Sequence, residues 1–204
     1  MRVKKEKVNV VTLGCYKNLV DSEQLLRQLE YNHFEILHNS ETYDAKIVII
    51  NTCGFILEAK QESINTILSF VDAKKKGFIH RIIVIGCLSE RYKRDLEKEI
   101  PEVDIFLGVN SLSEVLNLLG SGLKKELLGE RIITTPKHYA YLKIAEGCDR
   151  TCSFCAIPKI KGSHHSKSIE QILDEASYLT SIGVKEIILI SQDLTYYGLQ
   201  YFYL

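Results

Sequence analysis

Tryptophan is missing from this chain, methionine occurs once and proline three times in 204 residues, so proline-rich, collagenous and low-complexity architectures are excluded. Net charge is missing too: 26 Lys+Arg balance 26 Asp+Glu, which removes any whole-chain electrostatic argument for nucleic acid or an acidic surface. Long apolar runs are absent, the longest being Ile47 to Ile50, Ile82 to Ile85 and Ile187 to Ile190. None approaches the ~18 residues that a membrane-crossing helix needs, so no membrane association is expected. Six cysteines are too few for a disulfide scaffold, and the start, Met1 to Lys7 followed by Val8 to Gly14, has Asn9 and Thr12 interrupting its apolar run and no cleavage pattern. Leu13-Gly14-Cys15 is for the same reason not read as a lipoprotein site. These absences predict a reduced, cytoplasmic protein, with the 46% hydrophobic and 25% charged content of an ordinary globular chain.

What is present is an alternation of strand and helix signals. Short β-branched runs read as buried strands at Val8 to Leu13, Lys46 to Asn51, Arg81 to Ile85 and Asp104 to Leu107. Between them, Asn18 is a candidate cap for a helix carrying Leu19, Ser22, Leu26 and Leu29, and Ile64, Ile67, Leu68 and Val71 mark the next. Further helices are expected over Glu90 to Ile100, stopped by Pro101, and over Ser113 to Leu119. The pattern predicts an α/β fold with an N-terminal parallel sheet over residues 1–120. Gly120, Gly122, Gly129 and Pro136 punctuate an expected linker at 121–137, and 138–204 forms a second unit. There Tyr139 to Ala145 reads as a strand and Ser168 with Gln171 as a capping box. A helix with Ile169, Ile172, Leu173, Ala176 and Leu179 inward ends at Gly183, before a buried strand over Glu186 to Ser191.

Cys148, Cys152 and Cys155 follow the first of these strands with C-x3-C-x2-C spacing. Three thiolates on one short loop suit three irons of a [4Fe–4S] cluster and leave the fourth iron open to a substrate or cofactor. A structural zinc on Cys152, Cys155 and His164 or His165 is the bland alternative, and it leaves the three-residue gap unexplained. The remaining cysteines, Cys15, Cys53 and Cys87, each follow a predicted parallel strand. Carboxyl ends of parallel strands share one edge of the sheet, so residues distant in sequence are expected to meet there. Each alone would read as a buried, inert thiol.

The C-x3-C-x-aromatic-C loop, with Phe154 as its aromatic, resembles that of the radical S-adenosylmethionine enzymes, and its combination with a three-Cys α/β domain resembles the methylthiotransferases of that superfamily. The similarity spans essentially the whole chain. Leu13 to Glu23, Gly86 to Tyr92 and Glu146 to Arg150 are similar to the branch that modifies an aspartate of a small-subunit ribosomal protein. Tyr16 stands where that branch commonly has proline, and residues 161–167 carry Lys and His where it is commonly Arg-rich. The resemblance implies two [4Fe–4S] clusters. One, on Cys148, Cys152 and Cys155, would cleave S-adenosylmethionine to a 5′-deoxyadenosyl radical that takes a hydrogen from substrate. The auxiliary cluster, on Cys15, Cys53 and Cys87, would carry the added sulfur that becomes the methylthio group on the aspartate β-carbon. Phe154, Gln192 and Asp193 would contact S-adenosylmethionine. A ribosomal protein as substrate, an electron donor, a sulfur source and a ribosomal RNA contact are the implied partners. A transfer-RNA methylthiotransferase acting on a modified adenosine, and a non-catalytic iron–sulfur or zinc-binding fragment, are the alternative functions.

Lys17, Asn18, Asp21 and Glu23 read either as shapers of the auxiliary site or as a cap and first-turn charges. Lys159, Lys161, Lys167, His164 and His165 read as a basic, solvated loop that could meet RNA or the cofactor carboxylate. Residues after 138 suffice only for the beginning of a strand–helix barrel, so the chain is expected to be C-terminally truncated, with Tyr196, Tyr197, Tyr201, Phe202 and Tyr203 crowding an uncovered end.

Overall fold

The computed structural model describes residues 6–199. Its first half is a parallel sheet wrapped by helices, in chain order β1 (Lys7–Thr12), α1 (Tyr16–Tyr31), β2 (Glu35–His38), β3 (Ile47–Thr52), α2 (Leu57–Lys75), β4 (Arg81–Gly86), α3 (Cys87–Glu99), β5 (Ile105–Phe106) and α4 (Leu112–Leu118). Strand order is β2-β1-β3-β4-β5, all parallel, a doubly wound arrangement whose switch point lies between β1 and β3. The alternation of strand side chains splits the core. Val48, Ile50, Ile82 and Val84 pack toward Ile67, Phe70 and Leu96 on one face, while Ile47, Ile49 and Ile83 meet Leu25, Leu26, Leu29, Val115 and Leu116 on the other.

The second half begins with β6 (Tyr139–Lys143) and β7 (Ala145–Glu146), passes through the cysteine loop to α5 (Ile157–Lys161), and continues with β8 (His165–Ser166), α6 (Ile169–Ser181) and β9 (Glu186–Ile190). β6 and β9 pair in parallel across the α6 crossover, and the short antiparallel β7–β8 pair folds the cysteine loop back on itself. Ala140, Leu179 and Val184 form a small core there. The Ser168–Gln171 capping box is present in both directions, at 3.2 and 3.1 Å.

Several sequence expectations change. β2 is not among the strands expected from sequence: it is a four-residue, half-exposed edge strand whose apolar run is only Ile36 and Leu37. Asn18 does not cap α1. Cys15 is its N-cap, and Asn18 is buried inside the first turn, where its Nδ2 donates to Leu13 O and Thr52 O at 3.0 Å and ties the ends of β1 and β3 together. Leu68 faces solvent, as do Ile169 and Leu173, because α6 turns Glu175 and Leu179 inward. β9 is half-exposed rather than buried, with Leu189 on its open side. Tyr201, Phe202 and Tyr203 lie outside the described residues.

The connection over residues 122–134 is laid along α1. Gln28 pairs both ways with the main chain of Lys124 at 2.9 Å, and Arg27 meets Glu130 at 2.8 Å. Arg131, only 1% exposed, donates to Glu23 at 3.0 Å and to the Tyr141 carbonyl, and lies 3.3 Å from Glu175. Thr134 donates to Glu23 through N and Oγ1. Glu23 is therefore the ion-pair partner of the connecting segment, and Asp21 pairs with Lys143 of β6; neither is the first-turn helix charge that the sequence suggested.

Candidate iron–sulfur sites at the domain junction

Cys15, Cys53 and Cys87 lie at the carboxyl ends of β1, β3 and β4, three strands adjacent in the sheet. The register Thr52↔Gly86 puts Cys53 and Cys87, each one residue on, side by side. Strands in a sheet are ~4.8 Å apart, so such neighbours face the same small volume. Gly14 closes the third side: its backbone, at φ +83°, runs so near Cys53 that a Cβ there would sit 2.3 Å from the Cys53 Cβ and 2.7 Å from its sulfur. Cys53 is clamped by Ser63 of α2, whose Oγ accepts from Cys53 N at 3.1 Å and donates to Cys53 O at 3.0 Å. Burial pushes the Cys87 thiol up to about 11, Lys161 opposes that, and Cys53 and Cys15 reinforce it. All six cysteines are free thiols.

On the second loop, Cys148 is buried, Cys155 half-buried and Cys152 exposed. Gly147, at φ +76°, lets the loop pass under Ser163, where a Cβ would be 2.0 Å from the Ser163 carbonyl oxygen. Cys148 N donates to Gly162 O at 3.1 Å. Phe154 is 88% exposed and packs nothing beneath the loop. Gln192 Nε2 donates to Glu146, while Gln192 Oε1 and Ser191 Oγ, just past β9, are buried with no hydrogen-bond partner among the described residues. Asp193 is engaged by Arg150 at 3.0 Å and by Thr195, which hold its carboxyl below the usual carboxylate range.

Between the two triads lies a group that sequence reasoning missed. Lys143 of β6 binds Asp21 and, at 2.6 Å, Glu146. Burial alone would lower the Lys143 ammonium, but Asp21 and Glu146 outweigh it and raise it. Burial alone would raise Glu146, but Lys143 and Lys161 hold it low. Lys161, read from sequence as part of a solvated loop, is only 8% exposed, and Lys167 is bound to Glu175. Tyr16 stacks on Tyr141 at 4.2 Å across the same junction.

Thiolates in these positions suit iron–sulfur ligation. No three His, Cys, Asp or Glu side chains among the described residues converge closely enough to hold a single metal ion. A four-iron cluster places its ligands on separate corners and sets a different requirement. His164, the alternative zinc ligand, instead meets Ser166 through Nε2 at 3.0 Å. No helix among the described residues is long and apolar enough to cross a membrane.

A doubly wound sheet with three cysteines at its edge, followed by a strand and a Cys-x3-Cys-x2-Cys loop, defines a two-part protein, and the comparisons agree. The chain belongs to the family described as Uncharacterized protein family UPF0004, matched over residues 7–108, and carries a Radical SAM superfamily domain over residues 142–203. It is 59% identical to the ribosomal protein uS12 methylthiotransferase RimO of Flavobacterium johnsoniae over 97% of this chain and 45% of that protein. It is 58% identical to the protein of that name from Cytophaga hutchinsonii, over 96% of this chain and 45% of the relative. The one from Bacteroides thetaiotaomicron is 56% identical with the same coverage. The chain thus spans about 45% of the length of these curated relatives. The structure of the cobalamin-dependent S-adenosylmethionine radical enzyme OxsB, with aqua-cobalamin and S-adenosylmethionine bound, shares the fold with a TM-score of 0.56 at 14% identity. That match covers 93% of this chain and 34% of OxsB.

Proposed function

We propose that this chain is the cluster-bearing part of a cytoplasmic radical S-adenosylmethionine methylthiotransferase whose substrate is the β-carbon of an aspartate in the small-subunit ribosomal protein uS12. The supporting observation is the meeting of Cys15, Cys53 and Cys87 at one sheet edge, joined through Lys161 and Glu146 to the unit that carries Cys148, Cys152 and Cys155. The relatives' shared name supplies the substrate. In this reading residues 1–120 hold the auxiliary [4Fe–4S] cluster, 121–137 connect, and 138–204 begin the radical domain. When bound, the clusters and S-adenosylmethionine supply the electron, the hydrogen-abstracting radical and the methylthio sulfur. The chain's own residues place these groups. α1, whose N-cap is Cys15, carries Asp21 and Glu23, which pair with Lys143 of β6 and with Arg131, and so holds the two triads in one frame. Gln192 Oε1 and Ser191 Oγ, buried and without a partner among the described residues, are acceptors available to the cofactor, the exposed Phe154 of the cysteine loop is an aromatic contact for it, and Asp193 orients Arg150. Substrate entry, electron donor, sulfur source and any ribosomal RNA contact follow from the same reading.

Anaerobic reconstitution tests the two-site assignment. Replacing Cys148, Cys152 and Cys155 by Ala is expected to remove about half of the iron, and replacing Cys15, Cys53 and Cys87 the other half. Stoichiometric zinc in anaerobically prepared protein would overturn it. Mass spectrometry after incubation with uS12 or transfer RNA separates the two substrates. A subtler expectation concerns Phe154: because it is exposed and ligates nothing, Phe154→Ala should keep iron content and thermal stability while weakening S-adenosylmethionine binding in calorimetry. Loss of iron in that variant would assign the aromatic to loop structure.

A further inference from the structure

α2 and α3 pack on the same face of the sheet and leave between them a groove of about 440 Å³, walled by Ile64 and Leu68 of α2 and by Leu88, Tyr92 and Leu96 of α3. Leu57 continues the α2 wall upward, because it stands seven residues before Ile64 and so on the same helix face. Leu57 is 73% exposed and Leu68 45%, and Phe55 and Ile56 are exposed beside Leu57. Eleven residues separate Leu57 from Leu68, a wall of about 16 Å. The upper end of the groove is the auxiliary edge. A Cβ on Gly54, the residue after Cys53, would sit 2.6 Å from Leu88 Cα and 2.9 Å from the Cys87 carbonyl carbon. The turn that carries Cys53 thus touches the helix that Cys87 opens, and the chain passes from there through Phe55 into α2. Charge is distributed along the groove by sign. Near the top Lys60 donates to Tyr92 Oη at 2.9 Å, and Lys60 and Arg91 flank the Tyr92 ring, each 5.1 Å from its centre. At the bottom, further along α3, are the exposed carboxylates of Asp95 and Glu99.

Exposed apolar side chains scattered singly need no explanation, but a row of them along a groove marks an interaction surface. The charges select its occupant. A nucleic acid presents one sign of charge along its whole length, and its phosphates would meet aliphatic walls and then two carboxylates. A polypeptide can match all three zones: an acidic residue at the cationic top, apolar side chains in the middle and a Lys or Arg at the bottom. About five extended residues span 16 Å. We infer that the groove between α2 and α3 is the docking site of the substrate protein. It takes an extended segment of uS12 that reads acidic, apolar, basic from top to bottom, with the target aspartate at the end beside Cys53 and Cys87. This inference rests on the uS12 reading above.

The experiment uses this chain, reconstituted anaerobically, with purified uS12 and transfer RNA as probes. Hydrogen exchange read by mass spectrometry should show uS12 protecting the amides of α2 and α3, and calorimetry gives the affinities. Leu68→Asp is expected to weaken uS12 binding about tenfold at unchanged iron content, because a charge replaces an apolar contact on a side chain already open to water. Leu57→Asp, at the first position of α2 where an acid suits the helix, should act in the same direction and covers the case of a misfolded Leu68 variant. Glu99→Lys should weaken uS12 binding several-fold, while Leu128→Asp, an exposed leucine of the connecting segment, should leave it unchanged. Absence of uS12 binding by the parent, unchanged affinity in both leucine variants, or protection by uS12 only outside α2 and α3 overturns the inference. So does transfer RNA protecting these helices and binding more tightly to Glu99→Lys, or a dimer that Leu68→Asp dissolves and uS12 does not. Mass spectrometry of uS12 judges the underlying reading separately: methylthiolated uS12 without protection of α2 and α3 keeps the substrate and removes the groove.

Discussion

Arg131→Met is expected to cost about 3–5 kcal/mol at pH 7, the penalty for removing one partner from a buried ion cluster. Among the described residues the guanidinium is the only cation paired with Glu23, and with Lys167 it neutralises Glu175. Its loss strands the first carboxylate and weakens the compensation of the second. Burial is the main influence on Glu23 and raises its carboxyl above the ordinary 4.5, while Thr134 and Arg131 pull it down. A carboxyl raised by folding contributes stability below its unfolded pKa and loses it as pH rises through the folded value. Without Arg131 the folded value climbs further. The penalty should therefore be largest at neutral pH and shrink at an acidic pH at which Glu23 takes up a proton. Urea unfolding followed by circular dichroism at the two pH values measures this in a chain without tryptophan. Adding Glu23→Gln and Glu175→Gln to Arg131→Met should recover much of the loss, because no buried carboxylate is then left without its cation, the partly exposed Lys167 can turn to water, and Thr134 keeps an acceptor. A penalty independent of pH, or no recovery in the triple variant, would show that Arg131 acts through packing alone.

Arg131 also shows where a sequence stops being readable. The strands that carry the auxiliary cysteines were legible because a strand covered on both faces must be a continuous β-branched run, and Ile47 to Ile50 and Ile82 to Ile85 are such runs. The cysteine placement followed from topology, since residues after parallel strands share one edge. The charges were not legible. Arg131 and Glu23 are 108 residues apart, and Lys143 and Asp21 are 122 apart. Nothing local distinguishes Lys161 from its exposed neighbour Lys159: about half a helical turn separates the buried lysine from the solvated one. Composition predicts solvated charges because most are, and it fails where two units dock and carry their ion pairs inside. The misjudged α6 face has a related cause. Ile169 and Leu173 have the right period for a buried stripe, but the described residues pair β9 only with β6 and leave its other edge open.

Gly14→Ala and Gly147→Ala should each remove about half of the reconstituted iron, and opposite halves. Both glycines have positive φ, which costs a substituted residue of order 1–3 kcal/mol. Both also lack room, and differently. A methyl at position 14 is driven into Cβ and Sγ of Cys53, so the auxiliary edge must open and Cys53 is displaced relative to Cys15 and Cys87. A methyl at position 147 meets the backbone oxygen of Ser163, which cannot swing aside as a side-chain tip would, so the displaced part is the loop holding Cys148. Gly77→Ala separates strain from crowding: it has φ +78° with nothing within 4 Å, and should lower thermal stability while keeping the full iron complement. Combining Gly147→Ala with alanine at Cys148, Cys152 and Cys155 should remove no more iron than the three cysteine changes alone, because both act on one cluster. Combining Gly14→Ala with those three changes should leave almost none. Iron lost equally from both triads by either glycine substitution would mean that the two sites form and fail together, and that the sheet edge and the cysteine loop are not the independent ligand sets their geometry describes.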